Sequence, residues 1–305
     1  MNATLIRRGL LAVIGLWALA CLVLAFWWSH EPEPIDPVAR AEARAEAKGR
    51  EPVTGFTTTV ALIELAETLL EKRGGFLSND VFPPGVLLDN VPNWEFGVLV
   101  QIRDMARVMR NDLSRSQSQS AEDPDLANAE GKFFFDNSSW LFPQSEDEYR
   151  AGIRLTAWLE AVGTRMGSLS QRLAAAAGQR QVALGLAGDP AASQSTGTAA
   201  EEDIRTPWMQ IDDVFYQARG QTWALLHLLR ATQRDFESVL RNKNAMVSLR
   251  QIIRDLEPTQ KPLWSPMILN GGGFGVLANH SLVMASHVAR ANAAIIDLRN
   301  LLSEG

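Results

Sequence analysis

The chain has 305 residues, 46% hydrophobic and 21% charged, with a formal net charge of −6. That length supports one large or two ordinary domains with a sizeable core. The acidic balance and the lack of a long Lys/Arg cluster argue against a nucleic-acid partner, and the lone Cys21 excludes an intramolecular disulfide and a cysteine-based metal site.

Residues 9–28, GLLAVIGLWALACLVLAFWW, carry no charged side chain. At ~1.5 Å per residue the run is ~30 Å long, the thickness of a bilayer's hydrocarbon core. Trp27 and Trp28 stand where an aromatic belt belongs. Arg7 and Arg8 precede the run, and Glu31, Glu33 and Asp36 follow it, which places residues 1–8 in the cytoplasm and the rest across the membrane. Arg40 and Arg44 weigh against that orientation, but they alternate with Glu42 and Glu46. A cleaved signal would use Ala18-Leu19-Ala20, and a lipoprotein signal would use Cys21 after Ala20; either leaves Leu22 to Trp28 as an apolar start to the mature chain. The expected partner of residues 9–28 is therefore the lipid bilayer, held by an uncleaved single-pass anchor.

Residues 29–50 read as a stalk. EPEPIDP is a stiff Pro-rich spacer, and VARAEARAEAKGR a short charged helix with few apolar residues, expected to be solvated. Residues 51–305 then form an all-α domain, a helical bundle with long irregular loops. Thr57 to Arg73 has Leu62, Leu65, Ala66, Leu69 and Leu70 on one face, with Gly74-Gly75 as the stop. The segment 74–97, GGFLSNDVFPPGVLLDNVPNWEFG, has three prolines and no basic residue and is expected to be irregular. It is expected to pack its Phe and Leu side chains on the bundle and to turn its acids outward. From Trp94 a helical stripe resumes through Leu99, Ile102, Ala106 and Met109.

SRSQSQSAEDPD reads as a linker, and GKFFFDNSSWLFP as an aromatic cluster. Ser145 and Glu148 form a capping box before a long helix that includes Leu155, Leu159 and Met166, and 188–203 reads as a flexible loop. Ile211 to Leu256 carries one apolar stripe, which would make an elongated bundle if unbroken; Asn242-Lys243-Asn244 is the expected break. The last helix keeps a seven-residue repeat, with Leu277, Met284, Ala291 and Leu298 at one seam position and Val288, Ile295 and Leu302 at the other.

Chemistry is weakly signalled. GFGVLA at 273–278 fits the dinucleotide pattern G-x-G-x-x-A but lacks the strand and βαβ context such a site needs, so no cofactor is expected. His280 and His287 share a helix face but stand ~10.5 Å apart along the axis, too far to ligate one metal; no metal is expected. Asp80, Asp89 and Glu95 are the acids of the 74–97 segment, and a pair of them would serve a cell-wall glycan hydrolase as acid and base. Trp94, Trp140, Trp208 and Trp264 each lie within three residues of a proline near a helix start. Packing of each loop onto the bundle is the favoured role, and a partner-binding surface that includes Asp89, Trp94, Glu95, Trp140 and Trp264 the functional one.

GGFLSNDVFPPGVLLDNVPNWEFGVLVQIRD, SQSQSAEDPDL, SSWLFPQSEDEYR and GGGFGVLANHSLVMASH together resemble a family of proteobacterial proteins of unknown function, single-pass in the inner membrane. The likeness covers most of the chain after residue 50. It implies a Gram-negative inner-membrane location with the domain in the periplasm, and it brings no activity or catalytic residue. The leading expectation is a non-enzymatic protein of cell-envelope assembly or maintenance that binds an envelope protein partner or itself. The alternative is the glycan hydrolase.

Overall fold

The computed structural model describes residues 3–47, 55–80, 82–113, 130, 134, 206–265, 267–270 and 279–304. Trp140, the capping box Ser145–Glu148 with its helix, the 188–203 loop and the GFGVLA stretch lie outside them. Eight helices are described: α1 (Ala3–Trp28), α2 (Pro37–Ala47), α3 (Phe56–Glu71), α4 (Asn90–Val108), α5 (Ile211–Asp235), α6 (Glu237–Asn242), α7 (Met246–Leu256) and α8 (His280–Glu304). Among the described residues there is no strand, only an isolated bridge between Asn270 and Asn279.

α1 is long and apolar enough from Ile6 to Trp28 to cross a membrane, and its large side chains are exposed along most of its length. The exception is one face near its end, where Cys21, Leu24, Ala25 and Trp28 are half-buried. Trp28 packs on Gly74 so closely that a Cβ there would lie 2.8 Å from the indole; Gly74 also has φ 83°, which only glycine adopts without strain.

The chain leaving α1 does not form a solvated stalk. Asp36 caps α2, its Oδ1 accepting from the Val38 and Ala39 N–H groups at 3.0 and 3.2 Å. Pro37, Ala41 and Ala45, spaced four apart, make a narrow buried stripe, while Arg44 pairs with Glu64 and Glu67 of α3. Small side chains let α2 lie close on its neighbours, so a helix with few apolar residues still docks.

α4 and α5 form the centre of the bundle. Gly97 and Gly220 meet at their crossing, where a Cβ would come within 2.2 Å of the Gln217 carbonyl oxygen and 2.0 Å of the Trp94 carbonyl oxygen. Backbone-to-backbone approach lets Trp94, Val98, Ile102, Met105, Trp223 and Leu226 fill the space around it. The α4 helix begins at Asn90, four residues before the expected start at Trp94, because Pro92 sits in its first turn, where no N–H is needed.

The Ile211–Leu256 stripe breaks twice. Thr232 ends α5 by accepting from the Phe236 N–H at 3.0 Å, and the expected second break follows Asn242, with Asn244 at φ 53°. The described seam positions of α8, from Met284 to Leu302, are all buried.

Named contacts order the two ends of the bundle. Glu31 meets Arg219, Ile35 meets His227, and Glu42 lies 3.6 Å from Arg234, so the chain from α1 runs along α5 in its own direction. Asn93 donates to Asp213 at 2.6 Å, which brings the starts of α4 and α5 together. Phe215 faces His280, and the Lys243 ammonium reaches the Leu302 carbonyl at 3.4 Å, so α8 runs away from the α1 end as well. Three stretches between helices therefore gather at the α1 end: the described parts of 74–89, the lead into α5 from residue 206, and residues 257–265 with 267–270. The turn between α6 and α7 is at the far end.

Candidate functional site

The acids singled out in the sequence do not converge on a cleft. Glu95 is fully buried. It accepts from the Leu77 and Ser78 N–H groups at 2.9 Å each, from the Ser78 hydroxyl, and from the Lys72 ammonium, whose side chain is 3% exposed. With four donors on its two oxygens, the carboxylate has little left for a water or a sugar. Glu95 was expected to face outward with the other acids; it instead fastens the start of the loop to α4. Asp80 is half-buried over Gly85, and burial pushes its carboxyl up while Lys72 draws it down. Asp89 is exposed and caps α4 through the Asn90 N–H at 2.9 Å.

The apolar half of the expectation holds only in part. Phe76 and Leu77 pack inward, but Phe82, Val86 and Leu87, on either side of the Pro83–Pro84 cis bond, face outward. Of the tryptophans, Trp94 is fully buried against Trp223, ring centroids 5.2 Å apart, and cannot meet a partner. Trp208 is 76% and Trp264 94% exposed, so neither locks its loop onto the bundle.

The structure does assemble a site the sequence hid. Arg219, 6% exposed, donates Nε to both Glu31 oxygens at 2.8 and 2.6 Å, and its Nη1 to the carbonyls of Thr259 and Lys261 at 2.7 and 3.0 Å. Burial raises the Glu31 carboxyl and the guanidinium beside it works the other way. About two turns along, His227 is fully buried; its Nδ1–H donates to the Trp223 carbonyl at 2.6 Å and its Nε2 accepts from the Ile35 N–H at 2.9 Å. That pairing requires neutral imidazole, and burial lowers its pKa to about 4. Arg219 and His227 thus clamp the segment after α1 against α5 and the 257–261 turn. No sequence window shows this, because the partners lie 188 and 192 residues apart; the available signal was a lone basic residue inside the apolar stripe of α5.

Beside the clamp, α5, the 258–263 segment and α8 enclose a cleft of about 330 Å³, lined by Phe215, Arg219, Pro262, Leu263, His280, Val283, Met284 and His287 among others. Its walls are mainly apolar. The two histidines found by their spacing do share this cleft. His280 Nδ1 accepts from the Leu269 N–H at 2.9 Å, and His287 Nδ1 lies 2.7 Å from the Arg290 guanidinium. Burial lowers both pKa values, so both rings are neutral near pH 7. Among the described residues, no group of three His, Cys, Asp or Glu side chains is placed to hold a metal ion. A second hollow of about 550 Å³ between α2 and α3 is lined by Arg44, Glu64, Glu67, Glu71 and Lys72, several of them paired with one another. Neither hollow is lined by Asp80, Asp89 or Glu95.

The cleft therefore combines mainly apolar walls with two histidine rings, the lining expected of a binding pocket. No curated protein and no solved structure matches the chain. A family model does match, over residues 2–156 and 153–305, and the chain belongs to that family, described as an uncharacterized protein conserved in bacteria (DUF2333).

Proposed function

We propose that this is a non-enzymatic envelope protein, held in the inner membrane by α1 with its helical domain in the periplasm, that acts in envelope assembly or maintenance by binding a protein partner. The observation behind this reading is the cleft between α5 and α8, which sits next to the clamp joining α1 to the domain. A partner would offer apolar side chains to Phe215, Leu263, Val283 and Met284. Neutral His280 and His287 supply hydrogen bonds without the desolvation cost of a charge.

The test is photocrosslinking in living cells, with a benzophenone amino acid at Val283 or His287 of the full chain, both of which line the cleft. A discrete adduct of one added protein mass, formed from Val283 and from His287 but not from Val247 at the far end, is the expected result. Absence of an adduct from both sites would refute a cleft-bound partner. The hydrolase reading has no comparable support, since its three acids occupy a buried lock, a loop interior and a helix cap.

A further inference from the structure

The exposed apolar side chains of the domain are not spread evenly. Phe82 and Leu87 (73% and 70% exposed), Trp208 and Met209, and Trp264 and Met267 stand on three separate chain reversals. All three reversals are at the α1 end. Leu87 precedes the α4 cap by two residues, and Trp208-Met209 lead directly into α5, whose Asp213 meets Asn93. Trp264 follows Leu263, which lines the cleft with Phe215. At the far end, among the described residues, only Val247 of the large hydrophobic side chains is more than half exposed. Scattered surface apolar residues are ordinary; a concentration of this size on one end marks an interaction surface.

The position of α1 says what meets that surface. Its half-buried face runs from Cys21 to Trp28, and Trp28 packs on Gly74, the start of the loop that carries Phe82 and Leu87. Seven residues of helix span ~10 Å. If residues 9–28 fill the hydrocarbon core, protein that packs beside Cys21 lies ~10 Å below the top of that core. The domain therefore does not hover above the bilayer; its α1 end reaches into the layer where tryptophan and other amphipathic side chains settle.

We infer that the reversals carrying Phe82–Leu87, Trp208–Met209 and Trp264–Met267 form a second membrane contact, dipping into the lipid interface around the outer end of α1. The occupant of this surface is the lipid layer itself. Segment 74–97 holds no lysine or arginine and Lys261 is the one basic residue of 257–270, so apolar insertion carries the contact, with the Asp89 carboxylate and the Lys261 ammonium kept among the headgroups. The inference rests on the proposed reading of α1 as a membrane span, and the experiment separates the two.

Full-length protein with Cys21→Ser is given one cysteine at a time, by Leu87→Cys, Trp208→Cys, Glu33→Cys, Val247→Cys or Trp17→Cys. Each is labelled with a nitrobenzoxadiazole dye and reconstituted into phosphatidylethanolamine–phosphatidylcholine vesicles, with and without lipid nitroxide at acyl carbon 5. Apart from the half-buried Cys21, all replaced side chains are exposed, and folding of each variant is checked by circular dichroism. Labels at 87 and 208 should lose at least half their emission to the lipid nitroxide. They should also be at least threefold less sensitive to aqueous iodide than labels at 33 and 247. Equal iodide sensitivity at 87, 208 and 247 would overturn the inference alone. So would labels shielded from iodide yet untouched by lipid nitroxide, which would mean protein covers the surface. A water-accessible label at 17 would overturn the membrane span and the inference with it.

Discussion

Acidification should loosen the junction between α1 and the domain through His227. Its ring is fully buried, with Nδ1–H donating to the Trp223 carbonyl and Nε2 accepting from the Ile35 N–H. A proton on Nε2 would set two donors against each other and place a charge beside Trp223, whose ring centroid is 4.3 Å away, in a site that Arg230 makes still less favourable to it. The folded pKa is about 4 against the ordinary histidine value of 6.5. Between those values the unfolded chain binds the proton and the folded one does not, so stability rises with pH there and is lost as pH falls. The contribution is fully present above about pH 6.5. At pH 5 its loss is ~2 kcal/mol, and below pH 4 it approaches ~3 kcal/mol. Glu31, whose pKa is raised, works in the opposite sense, and His280 and His287 in the same sense. The measurement must therefore be a difference. His227→Gln offers an amide oxygen to Ile35 and does not titrate. Urea unfolding of full-length protein in detergent, followed at pH 7.5 and 5 for both chains, should show the wild type losing ~2 kcal/mol more than the variant. A difference under ~0.5 kcal/mol would refute the assigned hydrogen-bond pattern.

Three further outcomes follow from named contacts. Gly220→Ala drives a methyl into the Trp94 carbonyl and should cost about 3 kcal/mol by urea unfolding, whereas Gly15→Ala on the open surface of α1 should cost none. Lys72→Met strands the buried Glu95 carboxylate and should destabilise by ~3–5 kcal/mol; adding Glu95→Gln should recover more than half of it, which a purely steric effect of the methionine would not allow. Arg219→Met frees Glu31 and three carbonyl groups of the 259–261 turn, and should increase protease cleavage between residues 29 and 36 at least tenfold while leaving the circular dichroism of the bundle unchanged.

What the sequence made legible was periodic. The α3 stripe, the seam of α8 and the break at Asn242–Asn244 all rest on spacing, and spacing is local information. Even there Leu70 comes out exposed, because the buried arc of α3 centres on Leu62, Leu65 and Leu69. The docking of α2 was missed because Pro37, Ala41 and Ala45 form a stripe too small to stand out among four charged neighbours. The start of α4 was missed because Pro92 looks like a breaker unless it is assigned to a first turn. Which way Phe82 and Leu87 point was unreadable in principle: an irregular segment has no period from which a face can be deduced. The Arg219–Glu31 and His227–Ile35 clamp depends on long-range pairing, and a single sequence carries no such signal.

The clamp changes what kind of partner the domain can reach. A free stalk over residues 29–50 would be extensible at ~3.4 Å per residue, adding up to ~75 Å between bilayer and domain. The observed path instead lays residues 31–47 back along α5 and α3, held by Arg219, His227 and the Arg44 pairs. The reach of the described bundle is then set by its longest domain helices, α5 and α8, 25 residues each, or ~38 Å. The cleft lies at the α1 end of that length, between the first turns of α5 and α8 and close to the lipid surface proposed above. On the proposed membrane reading, a protein that fills it would itself be a membrane protein or carry an apolar segment close to the bilayer, since any other partner would have to approach along the plane of the headgroups. Attachment through the clamp would also couple the two elements if α1 spans the bilayer as proposed: a partner that tilts the cleft would tilt α1, and a change in bilayer thickness that tilts α1 would reorient the cleft.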